Sequence, residues 1–457
     1  MRSQSKIRTL GTFQCSLLIP TLVLGTIQEQ IDAAFDGDII LIEPGTYVEN
    51  LDFFGKHITV RSIDGPEVTI IDGNQNGSCV KMISGENESA VLDGFTLTNG
   101  SGWYSGTVWL GGGLVVRNSS SPTLTNLIVT GNTVTTGIGP AGGGISIGID
   151  SDPYLENIVI SNNTSGYGGG ISIYQSSPTL ENVNILENHA ILHGGGIYIV
   201  EADPLLQRLQ IRGNTADNYG GGVYVLDRAT PTFNQVSVLN NVCPLGGGGM
   251  VVHADGSPII ESSIFWGNIP EQIMLFDYGQ PPNDVTVSYS DIMGGESGIN
   301  LGEGTVDWEE GNIEEDPWFC DPTANIFTLA DDSPCIGSGE DGVNMGALSI
   351  GCAVPVAIDE DTSVPDQLIL DQNYPNPFNP STTIRYELAD QSKVRLTVFD
   401  VRGQKVMMLQ NAENPPGSYE VQWNGMDQSG SPVSTGVYLA RLQAGGYNLT
   451  IKMLYLK

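Results

Sequence analysis

Six runs of three glycines, each opening an alternating apolar strand, constrain this chain more than any other feature. They are Gly111-Gly112-Gly113, Gly142-Gly143-Gly144, Gly168-Gly169-Gly170, Gly194-Gly195-Gly196, Gly220-Gly221-Gly222 and Gly247-Gly248-Gly249. After one longer first step they recur every 26 or 27 residues. A fixed interval of that length marks a structural period rather than a catalytic motif.

Each unit also places a small residue or Asp before proline: Ser121-Pro122, Asp152-Pro153, Ser177-Pro178, Asp203-Pro204, Thr230-Pro231 and Ser257-Pro258. Proline, with fixed φ and no N–H, suits the corner at which a strand begins. Counted from these prolines, Leu124, Leu155, Leu180, Leu206, Phe233 and Ile260 share one offset, and Val129, Ile160, Ile185, Ile211, Val238 and Phe265 another. Counted from the glycines, Leu114, Ile145, Ile171, Ile197, Val223 and Met250 align, and so do the apolar residues two positions on. Period-two alternation points these inward. A unit this short holds two or three strands and cannot bury its own apolar face, so stacked neighbours must cover it.

Asn132, Asn163, Asn188, Asn214, Asn241 and Asn268 fall at the corner after the second strand. A buried amide both donates and accepts, so a stack of them satisfies itself and the adjoining backbone. The glycines serve a tight corner with close backbone approach, and none lies between a strand and a helix as a phosphate cradle would require. These columns resemble those of right-handed parallel β-helix proteins with pectate-lyase-like repeats. The entry segment from Thr26-Ile27-Gln28-Glu29 through Glu43-Pro44-Gly45-Thr46-Tyr47 is similar to theirs, and Thr26 with Glu29 predicts a capping box on a short helix that plugs the open coil end. The expected fold class is all-β, a right-handed parallel β-helix followed by a small immunoglobulin-like sandwich.

The chain has 457 residues and a formal net charge of −34, with 52 acidic against 18 Lys and Arg side chains. That balance excludes nucleic acid and anionic membrane as partners, since both need clustered cations. It suits solubility outside the cell, or calcium uptake, and calcium is the one cofactor the composition suggests. Residues 1–25 carry Arg2, Lys6 and Arg8 before an apolar run, a pattern of a secretory leader; alternatively Leu18-Ile19-Pro20 belongs to a first β-helix strand. No other stretch is apolar for long enough to span a membrane. Of six cysteines, Cys320, Cys335 and Cys352 cluster, which predicts one disulfide among them without choosing the pair; no paired C-x-x-C spacing suggests zinc. Their segment resembles the closing region after β-helices in surface proteins of the choice-of-anchor type.

Toward the end, Val394–Phe399, Gly417–Trp423 and Gly436–Leu442 alternate between turn residues, the signature of a small sandwich. The run Gln372-Asn373-Tyr374-Pro375-Asn376-Pro377-Phe378-Asn379-Pro380 through Leu388, and the ending 452–457, resemble the type A sorting domain of the type IX secretion system. That resemblance implies passage across the outer membrane, with the secretion machinery as a partner through residues 372–457 and a secreted or cell-surface destination. The expected division is therefore a leader at 1–25, a β-helix with capping helix at 26–290, a cysteine-bearing cap at 291–355, an acidic linker at 356–371 and the sorting sandwich at 372–457.

Catalytic signals are weak. β-Helix enzymes acting on acidic polysaccharides need Arg or Lys, calcium-holding acids or paired carboxylates on one exposed sheet. From Arg117 to Arg385 the basic side chains besides histidine are those two with Arg208, Arg212 and Arg228. Asp152 and Asp203, each before proline, read as turn formers. His189, His193 and His253 fall on different coils, and His193 is a candidate to share a face with Arg212. The stronger candidate is a polysaccharide-binding surface: on the glycine-led strand Tyr198 and Tyr224 fall at outward positions on adjacent coils, and Trp103, Tyr104 and Trp109 lie in an insertion placed to fold over that sheet. The competing classes are a polysaccharide lyase or glycoside hydrolase, and a structural adhesin. No catalytic or metal-ligating residue is assigned.

Overall fold

The computed structural model describes residues 25–276 apart from 136–138 and 140, residues 283–352, and residues 368–455 apart from 371–372, 374–377, 379, 389–390, 401–403 and 446. Nearly all of the expected leader, most of the acidic linker and much of the Tyr374–Asn379 run lie outside the described residues. The chain divides into two units, 1–354 and 355–457.

In the first unit every coil contributes strands that pair in parallel with the coils before and after. One sheet of ten strands is led by the glycines and includes Leu114–Arg117, Ile145–Gly148, Ile171–Tyr174, Ile197–Val200, Val223–Leu226 and Met250–His253. A second sheet of nineteen strands carries the two proline-led stretches of each coil, which run together as single strands at Tyr154–Ser161 and Thr179–Leu186. The inward columns stack in register, so that Leu124 faces Leu155, Leu180, Leu206, Phe233 and Ile260 in turn, all fully buried. This arrangement is a parallel β-helix. Stacking runs past residue 290 through Asp291–Ile292, Ile299–Asn300 and Thr305–Trp308, because Ile292 and Ile299 continue the buried columns there.

Left-handed residues turn the coils. Asn126, Asn157, Asn182, Arg208, Gln235 and Ser262 all take positive φ at the bend between the proline-led stretches. Asn tolerates that region better than most residues, but the later coils place Arg, Gln and Ser there at some cost in strain.

The asparagine ladder forms as the sequence predicts. Asn188 Oδ1 accepts from the backbone N–H and the Nδ2 of Asn163, both at 3.0 Å, while its own Nδ2 donates to Asn214 Oδ1 at 3.0 Å and Ile160 O at 2.9 Å. The pattern repeats from Asn132 to Asn268, where Gln272 Oε1 replaces the next asparagine. Beside it a Cβ on Gly195 would overlap the carbonyl oxygens of Gly221 and Thr215, so close backbone approach, rather than φ, demands glycine at the middle of the run.

A helix covers the first coil, and a later segment covers the flank of the long sheet. The helix Ile27–Ala33 has the Thr26–Glu29 capping box and buries Ile27 and Ile31. Lys56 Nζ donates to the carbonyls of Ile31, Asp32 and Ala34 at 2.7, 2.7 and 2.9 Å, which satisfies the end of a helix with no basic residue of its own in its last turn. Near the other end Phe327, Leu329 and Met345 pack on Leu239 and Ile264 of the long sheet, stapled by the Cys320–Cys352 disulfide. Cys335 stays free and buried, its thiol 3.2 Å from Asp291 Oδ2.

The second unit is a sandwich of a three-stranded and a four-stranded sheet whose neighbouring strands run antiparallel, around Phe378, Tyr386, Trp423 and Tyr455.

Candidate functional site

The residue immediately before each glycine run forms a ladder of its own: Leu110, Ala141, Tyr167, His193, Tyr219 and Gly246 pair coil by coil. One side chain further round, the outward position of the glycine-led strand reads Val115, Ser146, Ser172, Tyr198, Tyr224, Val251 and Met274, again in register. Two positions on, His253 pairs in register with Phe276, and their rings meet edge to face at 5.1 Å. The three columns meet in one aromatic shelf.

Within the shelf Tyr198 and Tyr224 stack at 5.6 Å between ring centroids, and His193 stacks on Tyr224 at 4.7 Å. Tyr167 contacts Tyr198 at 5.0 Å and His193 at 5.8 Å; Tyr219 touches His193 at 5.8 Å and Phe276 at 5.0 Å. The Tyr224 hydroxyl lies 2.9 Å from His253 Nδ1. Tyr224 is only 4% exposed and forms the floor. Tyr167, His193, Tyr198, Tyr219 and Phe276 are half-buried and form the upper surface.

Burial governs the electrostatics. It pushes the Tyr198 and Tyr224 hydroxyls well above the ordinary phenol range, reinforced by neighbouring tyrosines and Asp227. It holds the His193 imidazole below its usual value, with His253 adding to the effect. His193 Nδ1 is buried beneath the rings without a hydrogen-bond partner among the described residues. The shelf thus offers uncharged ring faces edged by tyrosine hydroxyls.

The insertion forms a separate feature. Trp103–Tyr104 and Trp109–Leu110 pair as an antiparallel hairpin, with Tyr104 and Trp109 in ring contact at 5.4 Å and Tyr104 half exposed. Its rings make no ring contact with Tyr198 or Tyr224 among the described residues. Leu110 heads the corner column that reaches Tyr167 two coils later, a step of about 10 Å. The five sequence candidates therefore occupy two patches along one edge rather than one fold-over.

The pairing of His193 with Arg212 is not what the structure shows. Arg212 precedes the ladder corner on the long sheet, where its guanidinium sits 5.3 Å over the Phe327 ring and donates to Asn325 Oδ1. His193 lies beyond that corner, on the shelf. Asp152 and Asp203 bond the turns of the next coil, accepting from Ser177 N and from Thr230 N and Oγ1. Among the described residues no group of three His, Cys, Asp or Glu is placed to hold a metal ion.

Sequence reading missed Tyr167, Tyr219 and Phe276. The first two were legible as the residue preceding a glycine run, a column overlooked because its members change from coil to coil.

The fold defines the class: a right-handed parallel β-helix joined to an immunoglobulin-like sandwich. In agreement, a family model described as a right-handed beta helix region matches residues 81–265, and one described as a FlgD Ig-like domain matches residues 379–448. No curated protein matches the chain. A solved structure from a study titled "Structural and functional probing of PorZ, an essential bacterial surface component of the type-IX secretion system of human oral-microbiomic Porphyromonas gingivalis" aligns at 20% identity over 22% of this chain and 13% of that chain, with a TM-score of 0.15. An overlap that slight carries no argument about this protein.

Proposed function

We propose that this chain is an exported cell-surface or extracellular β-helix that binds polysaccharide, and that residues 372–457 direct its passage through type IX secretion. One observation carries the binding reading: Tyr198 and Tyr224 occupy register positions that neighbouring coils fill with Val and Ser, so stacking of coils does not require aromatic rings there. Broad uncharged ring faces with hydroxyl edges suit the C–H faces and hydroxyls of sugars. The export reading rests on the Gln372–Leu388 resemblance and the sandwich fold.

Electrophoresis of the full chain through gels containing single polysaccharides, with and without calcium, tests binding. Reducing-end and unsaturated-uronide assays on the same glycans test cleavage. Retardation without product supports the binding reading; product from any glycan replaces it with an enzyme; neither result leaves the adhesin. For export, deleting residues 372–457 in a bacterium that has the type IX system should retain the protein inside the outer membrane; unchanged surface delivery would overturn that part.

A further inference from the structure

We infer that the shelf takes a neutral polysaccharide and rejects acidic ones such as polyuronates, an inference that rests on the glycan-binding reading above. Gripping a polyanion requires cations free to face it. In the glycine-run coils Arg117, Arg208 and Arg212 are engaged or distant, and the exposed Arg228 is flanked by Asp227 and Glu201, which offset its charge. Arg208 bonds Glu181 and Asn182. Arg212 is held by Phe327 and Asn325. Arg228 lies 4.0 Å from Glu201. Arg117 sits three coils before Tyr198, about 14 Å along the axis.

The rim of the shelf is acidic instead. Asp227 follows the Tyr224 strand and acts on both stacked hydroxyls. Asp217 is exposed beside His189, and Glu271 Oε2 accepts from Gly247 N at the next corner. With a formal charge of −34 behind them, these groups repel an approaching polyanion. The tyrosine rings are uncharged at neutral pH as ordinary phenols are, and burial disfavours the charged form of the His193 imidazole among them. The same acidic rim would favour a cationic glycan if charge rather than ring stacking governed binding, and chitosan is therefore included in the test.

Affinity electrophoresis of the full chain against mannan, galactan, xylan and β-glucan, against polygalacturonate and alginate with and without calcium, and against chitosan tests the inference. At least one neutral glycan should bind tenfold or more tightly than either acidic one, with less than about a twofold change between about 0.05 and 0.5 M salt. Tyr198→Ala combined with Tyr219→Ala should weaken that binding about tenfold while circular dichroism and melting show the coils intact; should that pair fail to fold, Tyr198→Ser, matching the neighbouring coil, serves instead. Binding of an acidic glycan as tight as a neutral one, or salt-sensitive binding of chitosan that exceeds both, overturns the charge class while leaving glycan binding standing. Binding to none of the panel overturns the glycan reading itself.

Discussion

Two stacks run side by side along the same coils and obey different rules. Inside the corner, asparagine recurs on six successive coils because each amide must meet the one above and below it. Outside, a few side chains away, the same register holds Val115, Ser146, Ser172, Tyr198, Tyr224 and Val251. Valine and serine stack there as acceptably as tyrosine. The inner column is dictated by folding; the outer one varies in residue type although Val115, Ser146, Ser172, Tyr224 and Val251 are all buried, and its aromatic choice on two adjacent coils calls for a reason other than coil stacking.

The contrast breaks most severely at the glycines. Gly195→Ala should prevent a folded β-helix, because its Cβ has only the carbonyls of Gly221 and Thr215 to displace; absence of soluble, cooperatively melting protein is the expected outcome, and a normal melt would show that the corner can relax. Asn188→Ala, which leaves the Asn163 N–H without its acceptor and removes one partner each from Asn163 Nδ2, Ile160 O and Asn214 Oδ1, should cost about 4 kcal/mol in urea unfolding.

Removing the Cys320–Cys352 bridge by a double Cys→Ser change should cost about 3 kcal/mol, as expected for a loop closed across 32 residues. Since that bridge staples the cap and not the ladder, the loss should be largest near the cap in hydrogen exchange.

A pH effect separates the cap from the shelf. Burial raises the Asp291 carboxyl from 3.8 to about 7. Its raised folded value means that the stability it contributes is complete below the unfolded value near 3.8 and is lost as pH climbs through about 7. Asp291→Asn should therefore melt progressively higher than the parent chain as pH rises across that window. His193 has the opposite sign: its depressed value makes stability fall as pH drops below the ordinary imidazole value of 6.5. A parent and variant with parallel melting curves would remove Asp291 from the account.

The smallest stability change is expected at the outer column. Tyr198→Ser copies Ser172 of the preceding coil but removes a half-buried ring packed on Tyr167 and Tyr224, so unfolding should lose about 2 kcal/mol; a loss as large as that of Asn188→Ala would make the tyrosine structural.

The inner column was readable from sequence because identity repeats with the period: Leu114, Asn132 and their counterparts hardly change from coil to coil. The capping box from Thr26 to Glu29 was equally plain, since it is local. The shelf was half legible. Tyr198 and Tyr224 follow from strand alternation, whereas His193 reads as a partner of Arg212 because nothing in its own strand shows that Tyr167, Tyr219 and Tyr224 surround it. Arg212 looked free for the same reason, its partners Asn325 and Phe327 lying more than a hundred residues along the chain. The disulfide partner of Cys320 depended on how the cap strands Phe319–Asp321, Ile326–Ala330 and Ile350–Cys352 assemble, which spacing alone does not decide.

The most direct test of the shelf is a crystal structure of the full chain with an oligosaccharide cut from whichever polysaccharide it retards most. The account predicts a sugar ring lying over Tyr198 and the neighbouring faces of Tyr167 or Tyr219, within hydrogen-bond reach of their hydroxyls. A sugar bound elsewhere, with these rings untouched, would contradict it.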